Sequence, residues 1–190
     1  GCTNLKTATI PNTVKSFGVN VFKGCTSLEN VVWSSALSTI PSSAFDGCVK
    51  LATISNIGNV TVIDNYAFRN NNVLNSFTFP AKLVTIGQYA FYGDSSLREV
   101  VLPDYVTTIG KYAFYGCTSV YKISISDNVR SIAYDAFYNC RSASDIYLPK
   151  NITKSNINNN AFYNVNGTFH VYQNTGSDEW CKSNSKKVEY

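Results

Sequence analysis

The chain has 190 residues, enough for one ordinary domain or a repeat array of similar mass. Hydrophobic residues make up 44% and charged ones only 15%, with a mean hydropathy of −0.09, which excludes a disordered chain. A net charge of +4 with no basic run beyond Lys186-Lys187 excludes the footprint of a nucleic-acid binder, and no apolar stretch approaches membrane-spanning length. The sequence contains no Met and no charged-then-apolar leader, so it is expected to be an excised or processed piece.

In chain order, Gly1-Cys2-Thr3-Asn4-Leu5 is already in register with GCTSL at 24–28, so the chain starts mid-unit and further repeats or another domain are expected to precede it. Phe22, Phe45, Phe68, Phe91, Phe114 and Phe137 then follow at a step of 23, and Phe162 comes after 25. Phe17, Ile40, Ile63, Ile86, Ile109 and Ile132 keep the same step, as do Leu28, Leu51, Leu74, Leu97 and Val120. A fixed period of this size signals a solenoid, in which one coil cannot bury its apolar face without neighbours.

Within a unit, LREVVLP at 97–103 alternates as a short half-buried strand, and Pro11, Pro80, Pro103 and Pro149 stop such strands. VTTIG (106–110) is a second extended stretch, and KYAFYGC turns the chain back, with Gly110 and Gly116 read as turn formers. Irregularity is expected at LATISNIGN, where Asn56 replaces an apolar residue, and at Ser142-Ala143-Ser144 with the insertion NITKSNINNN. Near the end, Thr168–Tyr172 alternates like a closing strand. Ser177 is then placed as the N-cap of a short helix, which lays Trp180 over the end of the apolar column. The expected architecture is a repeat solenoid of about seven coils with one parallel sheet along one face and little helix. Repeats occupy 1–165 and a C-terminal cap 166–190.

LREVVLPDYVTTIGKYAFYGCTSV and LNSFTFPAKLVTIGQYAFYGDSSL resemble the BspA-type leucine-rich repeat, whose I-G-x-x-A-F-x-x-C core recurs over roughly residues 1–165. The resemblance implies a leucine-rich-repeat solenoid and a non-enzymatic binding role. Such proteins belong to the cell surface or secretions of host-associated bacteria and some protozoa, where they are linked to adhesion. The implied partner is a protein, either host matrix or another surface protein, with a glycan as second candidate. The rival expectation is a passive spacer or accessory module of a larger secreted protein.

Few residues carry chemistry. Cys2, Cys25, Cys48, Cys117 and Cys140 occupy one repeat column, with Asn71 and Asp94 filling its other positions. Adjacent coils at about 4.8 Å would just permit disulfides between neighbours, but buried free thiols acting as small apolar fillers are the preferred reading. His170 is the sole histidine, so no Cys/His metal cluster, triad or cofactor site is expected, and a Cys181–His170 dyad has little support. Three Asn-x-Thr sequons, at Asn59, Asn151 and Asn166, matter only if a eukaryote secretes the chain.

Two tyrosine columns, Tyr66, Tyr89, Tyr112 and Tyr92, Tyr115, Tyr138, Tyr163, read as a packed ladder or, alternatively, as a stacking platform for a partner. On the strands, Val100 and Leu102 face inward. The outward positions vary from coil to coil: Asn30, Val32, Thr53, Ser55, Ser76, Thr78, Glu99, Val101, Lys122, Ser124, Asp145 and Tyr147. A variable face on a constant frame suits recognition. The most charged and aromatic part, Arg98, Glu99, Val101, Tyr121, Lys122, Ser124, Asp145 and Tyr147, is the candidate binding surface.

Overall fold

A computed structural model describes residues 1–190. Each 23-residue unit closes one coil, and a regular unit contributes two very short strands. The first strand carries an apolar residue at its centre, flanked by outward-facing residues that are polar except for Val32 and Val101. Its members are β1 (Thr7–Thr9), β2 (Asn30–Val32) and β4 (Thr53–Ser55), and further along β7 (Glu99–Val101), β9 (Lys122–Ser124) and β11 (Asp145–Tyr147). β12 (Thr168–His170) continues the row, and β13 (Val188–Glu189) closes it.

The second strand ends on the repeat isoleucine: β3 (Thr39–Ile40), β5 (Val62–Ile63), β6 (Thr85–Ile86), β8 (Thr108–Ile109) and β10 (Ser131–Ile132). All pairing is parallel and in register, so identical columns stack: Val62 on Thr85, Ile63 on Ile86, Glu99 on Lys122 on Asp145. Eight coils are counted along the central residues Ala8, Val31, Ile54, Phe77, Val100, Ile123, Ile146 and Phe169, one more than the sequence suggests, because Thr168–His170 stacks as a full rung.

The turn around Ala-Phe is a third ladder. Phe68 N donates to Ala90 O at 2.7 Å, Phe91 N to Ala113 O at 2.8 Å and Phe114 N to Ala136 O at 2.8 Å. The phenyl rings stack along it at centroid spacings of 5.1 Å from Phe68 to Phe91 and 5.2 Å from Phe91 to Phe114, nearly parallel and fully buried. Offset stacking at this spacing is favourable for aromatic quadrupoles. One contiguous apolar core of fifty buried residues runs the length of the solenoid.

The first-strand face is not one sheet. β1, β2 and β4 form one block, and β7, β9, β11, β12 and β13 another, while the second strands make a continuous sheet of five. The break falls at residues 75–79, one coil after the expected irregularity at Asn56. The cause lies in two adjacent coils. Asn56 is exposed and left-handed (φ 61°) in a column where Trp33, Phe79, Leu102 and Ile125 are buried, and its Nδ2 donates to Trp33 O at 2.7 Å. In the next coil Phe77 and Phe79 put two aromatic rings on alternate positions of one rung, a pair that no other coil carries. The Phe77 ring lodges between Phe68 and Phe91, 5.2 and 5.1 Å away. Phe169 takes the Phe77 position in β12 without breaking the ladder, so what the backbone must accommodate is the pair of rings together, beside the coil that carries Asn56.

The two-residue insertion has a milder effect. The coil makes a 3-10 turn at Lys154–Asn156, and the second-strand row ends in the single bridge Ile132–Ile157. Strand β11 before it pairs on both sides.

The glycines of the repeat divide into two kinds. Gly93 and Gly116 are left-handed, with φ of 75° and 72°. Gly110 is not a turn former in that sense: a Cβ there would lie 2.6 Å from Gln88 N and Gly87 C, so the coils approach too closely for any side chain.

The cap contains the single α-helix, α1 (Gly176–Ser183). Its N-cap is Thr175, not Ser177: the Thr175 hydroxyl accepts from Asp178 N, and Ser177 lies buried inside the first turn. Trp180 sits over Phe162 and Phe169, at 5.6 and 6.2 Å, and closes the core. No helix is long and apolar enough to cross a membrane.

Candidate functional site

Alternation on β7, β9 and β11 puts Val100, Ile123 and Ile146 in the core and their neighbours on the outer face. Parallel register then aligns two outward columns. One runs Glu99, Lys122, Asp145, Thr168, and the other Val101, Ser124, Tyr147, His170, Glu189. Neighbouring rungs of the first column thus carry opposite charge, which favours the stacked register over any slipped one.

The side chains interact across rungs. Tyr121 donates its hydroxyl hydrogen bond to Glu99. The Lys122 ammonium stands 5.8 Å from the centre of the Tyr147 ring, which stacks face to face on His170 at 4.2 Å. His170 Nε2 lies 3.3 Å from Asp145 Oδ1, and its Nδ1 lies 3.4 Å from Glu189 Oε2. Ser144 donates to Asp145 Oδ2 at 2.6 Å. That hydrogen bond, with His170 beside it, holds the Asp145 carboxyl below the usual carboxylate range.

All eight sequence-selected residues therefore lie along one side of one five-stranded sheet, and five of them share contacts. Arg98 and Val101 stand at its free end, exposed and without side-chain bonds, and Ser124 lines the neighbouring hollow. Downstream, a hollow of about 440 Å³ is lined by Tyr147, His170, Tyr172, Tyr190, Asp127 and Glu189 among others. Sequence reasoning missed His170, Ser144 and Glu189 as members of this surface. The signal was present in Thr168–Tyr172, read as a closing strand: placed in register on Asp145–Tyr147, it sets His170 directly beside Tyr147.

The tyrosine columns are self-satisfied. Tyr66 stacks on Tyr89 at 5.0 Å and Tyr89 on Tyr112 at 4.7 Å; Tyr92, Tyr115, Tyr138 and Tyr163 stack at 4.7–5.0 Å. Ring faces that cover one another are not open to a sugar, so the packed-ladder reading fits better than the platform. Arg69 covers the outer side of Tyr66, with its guanidinium 5.0 Å from the ring centre, while it clasps the buried Asp46 carboxylate with two bonds of 2.8 Å.

All six cysteines are free. Cys48, Cys117 and Cys140 donate their thiols to the carbonyls of Phe22, Phe91 and Phe114, so the column serves as a small donor as well as a filler. Asn71 does the same through its amide, to Phe45 and Phe68. Cys2 departs from the buried reading and is exposed. Cys181 is buried, and burial pushes its pKa to about 12, which removes the thiolate that a nucleophile would need.

A stack of parallel coils with an aliphatic core, stacked phenylalanines and an outward polar strand face is the architecture of a leucine-rich-repeat solenoid. The chain belongs to the BspA-type leucine-rich repeat family, whose model matches residues 1–106 and 84–177 in six copies. A leucine-rich repeat protein from Bacteroides ovatus superposes on 97% of the chain with a TM-score of 0.73 at 25% identity, and the chain spans 45% of that protein. The T. pallidum leucine-rich repeat protein covers 96% with a TM-score of 0.66 at 26% identity, over 78% of its own chain. The pneumococcal vaccine antigen PcpA shares the fold at 22% identity, with a TM-score of 0.59. No curated protein matches the sequence significantly. Domains of this family generally mediate protein binding without catalysing a reaction.

Proposed function

We propose that the chain is the protein-binding module of a cell-surface or secreted adhesion protein, and that its partner docks on the outer face of β7, β9, β11 and β12. The carrying observation is the preorganised row Glu99–Tyr121 and Lys122–Tyr147–His170–Asp145, whose members hold one another in place before any partner arrives. Aromatic and charged groups fixed in this way lose little freedom on binding, and exposed tyrosines are the residues that most often anchor an interface. Host matrix proteins and other surface proteins are the partners the family suggests; a neutral glycan is the second candidate, seated in the hollow beside Tyr147 and Tyr172.

Binding of the 190-residue chain to a panel of matrix proteins and glycans is the test. Changing Glu99, Tyr121, Lys122 and Tyr147 together to Ala is expected to weaken any hit by at least about a hundredfold. The same change should leave the unfolding midpoint within a few degrees, because all four side chains lie outside the core. Unchanged affinity in that variant removes the face from consideration. Failure to bind any panel member favours the spacer reading, in which the array only sets the distance between flanking parts of a larger protein.

A further inference from the structure

The break in the first-strand ladder leaves a cleft whose walls are unpaired backbone. In regular coils the ladder is complete: Glu29 O accepts from Ala52 N and Thr53 N, and Trp33 N donates to Ser55 O. One coil on, the Ala52 carbonyl and the Asn56 amide have no backbone partner, and none of the amides of Asn75, Ser76, Phe77, Thr78 and Phe79 donates to backbone. Only the Asn75 carbonyl is used, by Arg98 N. Between these two walls lies a space of about 550 Å³, lined by residues 52–58 and 76–81.

Ile54 and Ile57 are half-buried in its lining, which also includes Phe77, whereas Val31, the column mate of Ile54, is fully covered. The lining holds no charged side chain. Nor can the cleft collapse easily. The second-strand pairing of Val62 on Thr85 and the phenyl stacking of Phe68 on Phe91 fix the two coils on their other sides, and Phe77 is wedged between those rings.

We propose that this cleft binds an extended, uncharged polypeptide segment of a partner protein, which adds itself as a strand to the free edge of β4. The backbone groups left open recur along an extended chain, and a second extended chain is the ligand that presents donors and acceptors at the same interval. Alternate side chains of such a segment would meet the apolar lining at Ile54 and Phe77, which sets a preference for Val, Ile or Thr at every second position. A neutral sugar fits less well, because Phe77 and Phe79 are buried and Asn56 is the only amide side chain in the lining. Its wall at Phe77 and Thr78 borders Glu99 and Tyr121 of the strand face, but none of the cleft's lining residues belongs to the row from Glu99 to His170.

The test is amide chemical-shift mapping of the intact 190-residue chain with three probes at millimolar concentration. These are a pool of capped heptapeptides carrying Val, Ile, Thr or Ser at each position, the same pool N-methylated at alternate residues, and a mixture of neutral oligosaccharides. The first pool is expected to shift the amides of residues 53–56 and 76–79. N-methylation should weaken it at least about tenfold, since it removes the backbone donors and adds bulk on the pairing edge. Thr78→Arg, an exposed change on the cleft wall, should weaken it similarly while leaving the fold intact, and the Glu99, Tyr121, Lys122 and Tyr147 alanine variant should keep it. No shift, shifts confined to other surfaces, equal binding by the N-methylated pool, or shifts at these amides from the oligosaccharides alone would each overturn the proposal.

Discussion

Asp94 occupies a position that other coils give to cysteine or asparagine. It is fully buried, accepts one bond from Asn71 N at 2.6 Å, and has no partner at Oδ2. Burial raises its carboxyl well above the usual range, against the weaker opposing pull of the Asn71 amide. The folded chain therefore keeps the proton at pH values where the unfolded chain, with a carboxyl near 3.9, has released it. This group's contribution is most favourable below about pH 4 and declines as pH rises towards the folded-state pKa. Asp94→Asn should raise the thermal midpoint at pH 7, with its new amide donating to phenylalanine carbonyls as Asn71 does, and the gain should vanish near pH 3. Parallel thermal melts of both proteins across pH check this.

Gly110 fails for a different reason when changed. A Cβ would meet backbone on the preceding coil at 2.6 Å, and backbone cannot swing aside as a flexible side chain can. Gly110→Ala is expected to cost about 1–3 kcal/mol in urea unfolding, the range of overpacked cores. Tyr66, Tyr89 and Tyr112 show the opposite balance. Each holds a left-handed φ of 57–59° that Asn20 and Asp135 adopt more cheaply in the same column, and ring stacking of about 0.5–1.5 kcal/mol per pair offsets that strain.

Among the elements, the first-strand row is the one that packing divides. Asn56 and Phe77 act together, one by withdrawing an apolar group from the core and the other by overfilling the next rung. Asn56→Leu combined with Phe77→Val should restore branched aliphatic packing and let residues 76–78 pair with β4 and β7. Amide hydrogen exchange should then show new protection at 76–78, and the cleft proposed as a peptide site should close. Persistence of fast exchange there would mean that the rest of the coil, including Phe79, dictates the break. Helix α1 is simpler: Thr175 caps it, and Lys182 bonds Asp178 at 2.8 Å one turn later and holds that carboxyl below the usual range.

The whole molecule is close to one-dimensional, since strands pair only with the coil before and the coil after. Stability then adds up from coils and their interfaces, and no single coil is indispensable. Excising residues 107–129 joins Val106 to Arg130 in register, and the shortened chain should fold with the same far-ultraviolet signature. Its denaturant m-value should fall by about an eighth, in proportion to the surface lost. A collapse of cooperativity would show instead that this region nucleates the array.

The 23-residue period alone determined the coil, the core columns and the inward–outward alternation, because a chain that repeats its apolar spacing can bury it only by stacking like on like. It also placed Glu99, Lys122, Asp145 and Tyr147 on one face, since parallel register carries a column from rung to rung. Tertiary structure decided what depends on contacts between different columns. The paired rings of Phe77 and Phe79 set the break one coil after the residue that announced irregularity. The approach of backbones, rather than turn geometry, fixed Gly110. Continuation of the ladder into the C-terminal segment brought His170 and Glu189 to the candidate face: His170 keeps the repeat step from Tyr147, but Glu189 pairs with His170 off that step, across a closing strand that only the fold places there.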